Sequence, residues 1–366
     1  MAKLELFQLQ KSVDRLGETV LDPTVWPDVM QGISAAVAAK GAVLLQSDNR
    51  TPDVPYTSDV SELIKAYFAN GWHTHDIRAD RGVPLLLKGS LVVDDSDIVT
   101  PEEIARNGMY QEAARLGFRW FAGVGFWAGD ALWGLSLQRT SAEGMFTAAE
   151  KQVLAPLSRR LTEVATLSTI VGRAALSSVV NGMDFIKHAA IAIDSFGNVL
   201  DVNSAASRSF DTEFYMRRRR IVVKDQAAAD RLSALFDKLR TTSDSKAMGF
   251  DPIVIRRTTS QPIVLRMLPV HPAAKNPFLS ARVLLLFSSP DAKNCPNPNV
   301  LIQAFGLSKA EARLAGEVAK GASIEESAVK FGVSRDTVRN QLKAIFSKTH
   351  THRQGELVWL LNRLTS

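Results

Sequence analysis

The sequence predicts an α+β multidomain chain that closes in a small all-α domain of four helices. Three observations carry this. At 366 residues the chain exceeds the roughly 100–200 residues that one core usually organises, so two or three domains are expected. Strand-like and helix-like runs alternate in two stretches, residues 1–146 and 181–290, parted by one long helix-period segment over 147–180. The last stretch, residues 299–366, shows helical periodicity alone and follows Ser288–Asn299 (SSPDAKNCPNPN), whose Pro, Asn and Ser read as a linker.

In the first stretch, helical patterns fall at Trp26–Lys40, Ser61–Asn70 and Pro101–Leu116, and strand-like runs at Ala42–Gln46, Phe118–Trp127 and Leu132–Gln138. The segment from Thr147 to about Val180 contains only Pro156 and Gly172 as breakers, so it is expected to connect two domains as a helix. Beyond it, a strand at Ala189–Asp194, the turn Ser195–Asn198, a second strand to Val202 and a helix from Asn203 precede strands near 219–223, 251–257, 261–270 and 281–287.

Composition narrows the function classes. An apolar share of 46% with 22% charged residues fits soluble globular domains. One cysteine, Cys295 in the linker, excludes an internal disulfide framework and multi-cysteine metal sites and agrees with a reducing cytoplasm. Neither a secretory leader nor an apolar span of about 20 residues is read from the pattern, so no membrane association is expected. Net charge is +6 and the pI near 9.4, and residues 299–366 hold ten Lys/Arg against six Asp/Glu. The positive excess therefore concentrates at the end of the chain, which points to an anionic partner there.

In that end segment Ser308 and Glu311 form a capping box ahead of Ala310, Leu314 and Val318 at helical spacing, with Gly321 as the stop. Ser323 and Glu326 repeat the box for a short helix ending at Phe331-Gly332, and Val333-Ser334 opens a third helix to about Thr349. Two helices joined by a tight Gly-containing turn, the second one basic, make a helix-turn-helix. On the third helix Val338, Leu342, Ile345 and Phe346 share one apolar stripe, so Asp336, Arg339, Asn340, Lys343 and Ser347 project away from it. Guanidinium, amide and ammonium groups on that face suit base edges of double-stranded DNA. Ser334, Arg335, Thr337 and Lys348 lie at its edges and ends, where phosphate contact is easier. A solvated basic face on an ordinary amphipathic bundle would show the same periodicity.

The run LSKAEARLAGEVAKGASIEESAVKFGVSRDTVRNQLKAIFSKTHTHRQGELV resembles the LuxR-type helix-turn-helix family. That resemblance implies a DNA-binding transcriptional regulator in which Arg339, Asn340 and Lys343 occupy base-reading positions while Val338 and Leu342 belong to the core. Gln341 stands where the family often has His, and His350 where a Gly usually ends the reading helix. Residues 184–210, DFIKHAAIAIDSFGNVLDVNSAASRSF, resemble the opening of a PAS-type domain, which implies ligand sensing or dimer contacts. AYFANGWHTHDIR and RLGFRWFAGVGFWAGDALWGLSLQR resemble the GAF-like sensor halves of orphan LuxR-type regulators and, more distantly, their autoinducer-binding domains.

The expected domains are thus a GAF-like sensor over 1–146, a connecting helix over 147–180, a PAS-like domain over 181–290 and the helix-turn-helix domain over 299–366. Within the first of them, four of the chain's six tryptophans, Trp72, Trp120, Trp127 and Trp133, fall within 62 residues, with Tyr67, Phe68 and Tyr110 nearby. Such residues wall a pocket for a small organic effector, and equally fill a core. Tyr67, Trp72, His75, Asp76 and Arg78 supply polar groups that would orient a ligand, with Tyr110, Trp120 and Trp133 as walls. No cofactor is called for. His73, His75 and Asp76 do not make a metal site, since two His at i and i+2 diverge on a helix. Likewise, His188 has no partner ligands, and Arg217–Arg220, the densest positive run, reads as a solvated turn or a holder of an anion. LVVDDSD (Leu91–Asp97) imitates the acidic pair of a phosphorylatable receiver but lacks the later Asp and Lys such a domain needs. No phosphate-cradling Gly loop, nucleophile elbow or paired-carboxylate site is present, so enzymatic activity is not expected.

A homodimer on DNA is expected because one short reading helix spans few base pairs. Leu154, Leu157, Leu161 and Val164 on the connecting helix have bundle-like spacing for that contact or for packing within one subunit. RNA polymerase is a further candidate partner. The alternative to an effector-responsive regulator is a constitutive DNA-binding protein whose upstream domains serve assembly alone.

Overall fold

The computed structural model describes residues 4–47, 51–52, 54–241, 251–270, 276–279, 281–287 and 297–363. Cys295 and all of the expected linker before 297 lie outside the described residues. The chain is mixed α and β, with two larger antiparallel sheets and a helical region at its end.

The first sheet comprises β1 (Gly41–Gln46), β2 (Val92–Asp94), β3 (Trp120–Ala128) and β4 (Ala131–Arg139), ordered β1-β4-β3-β2. Strands β3 and β4 pair from Trp120↔Arg139 to Ala128↔Ala131, which leaves Gly129-Asp130 as the two-residue turn, with Gly129 at φ 61°. Helix Trp26–Ala36 and the first half of helix Ala148–Gly182 cover one face, burying Trp26, Met30, Ile33, Phe126, Leu135 and Leu137. Smaller helices, Ser61–Ala69, Ile77–Leu87, Pro101–Arg106 and Gly108–Arg115, cover the other. The helical pattern expected over Pro101–Leu116 is broken at Asn107, whose side chain accepts from Met109 N and Tyr110 N and restarts the helix.

The long helix begins where expected: Thr147 and Glu150 close a reciprocal capping box. Leu154, Leu157, Leu161 and Val164 are buried in the first domain's own core. The sequence reading offers these four as a dimer contact, but the alternative it left open, packing within one subunit, is the one observed. By length and composition this helix is apolar enough to cross a membrane, whereas the sequence reading finds no such span; its N-terminal half is spent on the domain core. Leu167, Ile170, Val171 and Val179 on its second half are exposed.

The second sheet comprises β5 (Ala189–Asp194), β6 (Val199–Val202), β9 (Ile253–Ile255), β10 (Ile263–Pro269) and β11 (Ala281–Phe287), ordered β6-β5-β11-β10-β9; β7 (Phe214–Arg217) and β8 (Arg220–Val223) form a separate hairpin. The period-2 rule puts the two faces of β5 to different uses. Ala189, Ile191 and Ile193 join the core under helix Gln226–Thr241, while Ala190 and Ala192 meet Val180 near the end of the long helix. One helix thus packs on both domains.

Residues 276–279 fasten the two domains. Phe278, between β10 and β11, sits edge-on to Trp133, Trp26 and Phe126 of the first domain, at 5.2, 5.7 and 5.9 Å between ring centroids. Buried Asn276 donates from Nδ2 to Ser168 O on the long helix. A Cβ at Gly172 would come within 2.8 Å of that Nδ2, so glycine is what lets Asn276 approach.

The helical region has five helices where four are expected: Pro298–Phe305 precedes Lys309–Ala319, Ile324–Phe331, Arg335–Thr349 and Gln354–Arg363. Leu301, Leu314, Val338, Leu342, Ile345, Leu357 and Leu361 form its core.

Candidate functional site

Two places gather chemistry. The first is the helix Arg335–Thr349. Its N-cap Ser334 accepts from Thr337 N, and the preceding helix stops at Gly332 in the left-handed region at φ 66°. His350 takes the same left-handed conformation at φ 54°, so the cap that usually needs glycine forms here on histidine. With Val338, Leu342 and Ile345 buried, Ser334, Arg335, Thr337, Arg339, Asn340 and Lys343 are all exposed. Arg339 lies 3.5 Å from Asp336 and Arg335 3.7 Å from Glu325, loose pairs in solvent that cost little to exchange. Lys343 has no carboxylate within ion-pair distance among the described residues. Lys348 differs from the rest: its Nζ is 2.7 Å from Glu311, which also closes the capping box with Ser308. That ammonium, together with the Ser308 N–H, holds the Glu311 carboxyl below its usual range.

The second place is a cavity of about 130 Å³ between the sheet of the first domain and its small helices. Tyr67, Trp72, Asp76, Arg78 and Trp133 line it, together with Gln138 and Glu112. Asp76 caps helix Ile77–Leu87, accepting at Oδ1 from Arg78 N and Ala79 N, while Tyr67 Oη donates to Oδ2 at 2.7 Å. Trp72 Nε1 donates to Glu112, and the ring lies so close over Gly108 that a Cβ there would meet it at 2.8 Å.

Arg78 is sandwiched between the rings of Tyr110 and Phe121, 4.5 and 4.4 Å from their centroids, and donates to Gln138 Oε1 at 3.1 Å. Its counter-charge is Asp95, 3.7 Å away and almost fully buried, which accepts from Tyr110 Oη and from Phe121 N. Burial pushes the Asp95 carboxyl above its usual range, with Arg78 and the two hydrogen bonds pulling it back. Burial also pushes the Tyr110 hydroxyl up. For Arg78 burial works against the charge, but Asp95 and Tyr110 outweigh it and the guanidinium stays protonated.

Three residues expected at this site are not in the cavity wall. Tyr110 stands behind Arg78, its hydroxyl committed to Asp95. Trp120 packs beside Ile104 and Met109 with Arg119 over its ring at 5.1 Å. His75 is exposed, just past the turn that carries Trp72. The sequence reading missed Asp95, Glu112 and Gln138. Asp95 lies inside LVVDDSD, whose acidic residues serve the fold: Asp94 and Asp97 cap helix Asp95–Ile98 and pair with Lys151 at 3.3 and 2.6 Å.

No family model matches the chain, and neither does any curated protein. Among solved structures it is similar to the VqsR LBD domain from Pseudomonas aeruginosa at 17% identity and TM-score 0.35, covering 44% of this chain and 96% of that one. It is similar to a phage VqmA–DPO complex at 13% identity and TM-score 0.21, covering 50% of this chain and 87% of that one. The E. coli DhaR(N)–DhaL complex follows at 13% identity and TM-score 0.25, covering 76% and 87%. Likenesses this low carry no argument, and the functional reading rests on the chain's own residues.

Proposed function

We propose that the chain is a sequence-specific DNA-binding transcriptional regulator of LuxR type, working as a homodimer in the cytoplasm, with a small organic effector taken up by its first domain. The observation that carries the DNA reading is the solvated face Arg339, Asn340 and Lys343 on a helix whose opposite stripe is buried. A basic helix held rigidly by its apolar side, with bidentate donors free on the other, suits the major groove. Binding-site selection with the purified protein, followed by anisotropy titrations, tests it: a preferred sequence is expected, and Arg339→Ala should erase the preference. No sequence preference in the wild-type protein would overturn the reading.

The effector reading rests on the cavity. A single water needs about 10–15 Å³ by this kind of measure, and a 150 Å³ engineered cavity in another protein takes up benzene. At about 130 Å³ this cavity matches a compact molecule of about one ring. A GAF-like first domain and a PAS-like second domain with its five-stranded antiparallel sheet accord with that role. One observation favours the constitutive alternative: Asp76, Trp72 and Arg78 all have hydrogen-bond partners within the fold. Thermal-shift screening with small aromatic compounds separates the two, since a shift lost in Trp133→Ala supports the effector and no shift with any compound supports constitutive action.

For the dimer, the burial of Leu154, Leu157, Leu161 and Val164 moves the contact to the exposed Leu167, Ile170 and Val171 of the same helix. Light scattering should show a dimer that Ile170→Lys dissociates. RNA polymerase remains the candidate protein partner on DNA.

A further inference from the structure

A second cavity, of about 200 Å³, lies where the long helix meets the second domain. Arg173 and Ser177 of the helix, Leu200 and Asp201 of β6, Arg219 of the β7–β8 turn and Leu279 line it. Two features set it apart from an ordinary seam. First, Arg173 and Arg219, both solvent-exposed, line the same cavity, and neither has a carboxylate within ion-pair distance among the described residues. An anion seated between two guanidiniums gains a charge-assisted hydrogen bond from each. Asp201 supplies one negative charge on the same wall but lies outside ion-pair distance of both guanidiniums; its Oδ2 accepts from Ser177 Oγ and its Oδ1 from Val202 N.

Second, Arg219 is held in place at a conformational cost. Strands β7 and β8 pair through Arg217↔Arg220, so Arg218 and Arg219 form a two-residue turn, at φ 49° and 59°. Such turns favour Asn-Gly, and an L-residue with a long side chain costs about 1–2 kcal/mol in that region. The turn is pinned to β6, where Val199 N donates to Arg219 O at 2.7 Å and Arg219 Nε donates to Val199 O at 3.3 Å. With Nε so engaged, the two terminal nitrogens of Arg219 remain for the cavity, in the fork geometry that matches a carboxylate or phosphate.

The geometry points to a binding site for a small oxyanion, a carboxylate or a phosphate, held between Arg173 and Arg219. Asp201 on the same wall leaves one net positive charge, which selects a singly charged head over a polyanion. Leu200 and Leu279 offer contact to a short apolar body. An anion there joins the long helix to the second domain and so biases how the two pack. The site is independent of the cavity in the first domain.

Calorimetric titration of the full chain at fixed ionic strength, with inorganic phosphate and with benzoate as the two probes, tests this. Saturable binding of at least one probe is expected, and Arg173→Gln or Arg219→Gln should each weaken it at least tenfold, with Arg217→Gln unchanged because that side chain is outside the cavity. The strained turn adds a signature that a structural arginine would not give. Arg218→Gly should raise the thermal midpoint and keep binding, whereas Arg219→Gly should fold without loss of midpoint and bind neither probe. Saturation by phosphate alone or by benzoate alone supports the site and fixes its head group. No saturation by either probe at millimolar concentration overturns it, as does binding that both Gln variants retain.

Discussion

The cavity wall of the first domain and the exposed face of helix Arg335–Thr349 use the same residue types in opposite ways. In the wall, the charged groups are committed to the fold: Asp76 caps a helix and holds Tyr67, and Arg78 is stacked between two rings against buried Asp95. On helix Arg335–Thr349, Arg339 and Lys343 stand in solvent, touching at most one loosely placed carboxylate. A group already satisfied inside a low-dielectric wall stabilises the protein and has little left to offer a ligand; a solvated one contributes almost nothing to stability and keeps its capacity for a partner. Substitutions should therefore separate cleanly, with stability lost in the first region and affinity lost in the second.

The largest effect expected is for Asp95→Ala. It strands Arg78 between Tyr110 and Phe121 without its counter-charge, and removing one member of a buried pair costs about 3–5 kcal/mol. Arg339→Ala should stay within about 0.5 kcal/mol of the wild type in the same denaturant titration. Equal costs for the two would break the comparison. Phe278→Ala comes next. The ring fills the space among Trp133, Trp26 and Phe126 but is only partly buried, so about 2–3 kcal/mol is expected, below the 3–5 typical of a fully buried Phe. Because Trp133 borders both Phe278 and the cavity, this variant should also change tryptophan fluorescence, and an unaltered spectrum would show that the contact is not made in solution.

How much of this the sequence disclosed depends on distance along the chain. Helix starts were readable because a cap is written within three residues: Ser308 with Glu311 and Ser323 with Glu326 form the boxes their spacing predicts, and the start read at Thr147 proves to carry a box with Glu150. The solvated face of helix Arg335–Thr349 followed from one apolar stripe on one helix. The cavity was half legible. Aromatic density located the domain and Tyr67, Trp72, Asp76, Arg78 and Trp133 do meet there, but Asp95 pairs with Arg78 from a segment that locally resembles something else. Trp120 and Tyr110 share the composition of a wall without its position. The spacing of Leu154 to Val164 fixed which side of the helix is apolar, not what covers it. Phe278 had no local signature at all, since its partners are more than a hundred residues away.

On the reading face, Arg339→Ala and Lys343→Ala should each weaken binding to a selected site by about 1–3 kcal/mol if each makes a good base contact. Neither should move the unfolding midpoint, which anisotropy and thermal denaturation on the same preparations will show. A fall in midpoint alongside the lost affinity would place these side chains in the fold and blur the separation between the two regions.

Lys348 tests the comparison at its margin, because it belongs to the reading helix yet is tied to Glu311 as tightly as a wall residue, at 2.7 Å. To contact DNA it must exchange a carboxylate for a phosphate. If it does, Lys348→Ala lowers affinity for every sequence alike and shallows the salt slope by about 0.9, the share of one phosphate contact. Glu311→Gln then tightens binding to all sequences with the slope unchanged, since the exchange no longer breaks an ion pair. The same pair sets a pH dependence. Glu311 has its folded pKa lowered by Lys348 and Ser308, so its contribution is present above the unfolded value of about 4.3 and disappears as pH falls through the lower folded one. Glu311→Gln should thus lower the unfolding midpoint at pH 7, with the difference from the wild type shrinking as pH falls through the lowered folded pKa. A salt slope unaltered by Lys348→Ala, with that pH behaviour intact, would show that Lys348 stays with Glu311 on DNA, leaving Arg339, Asn340 and Lys343 as the charged and polar reading surface.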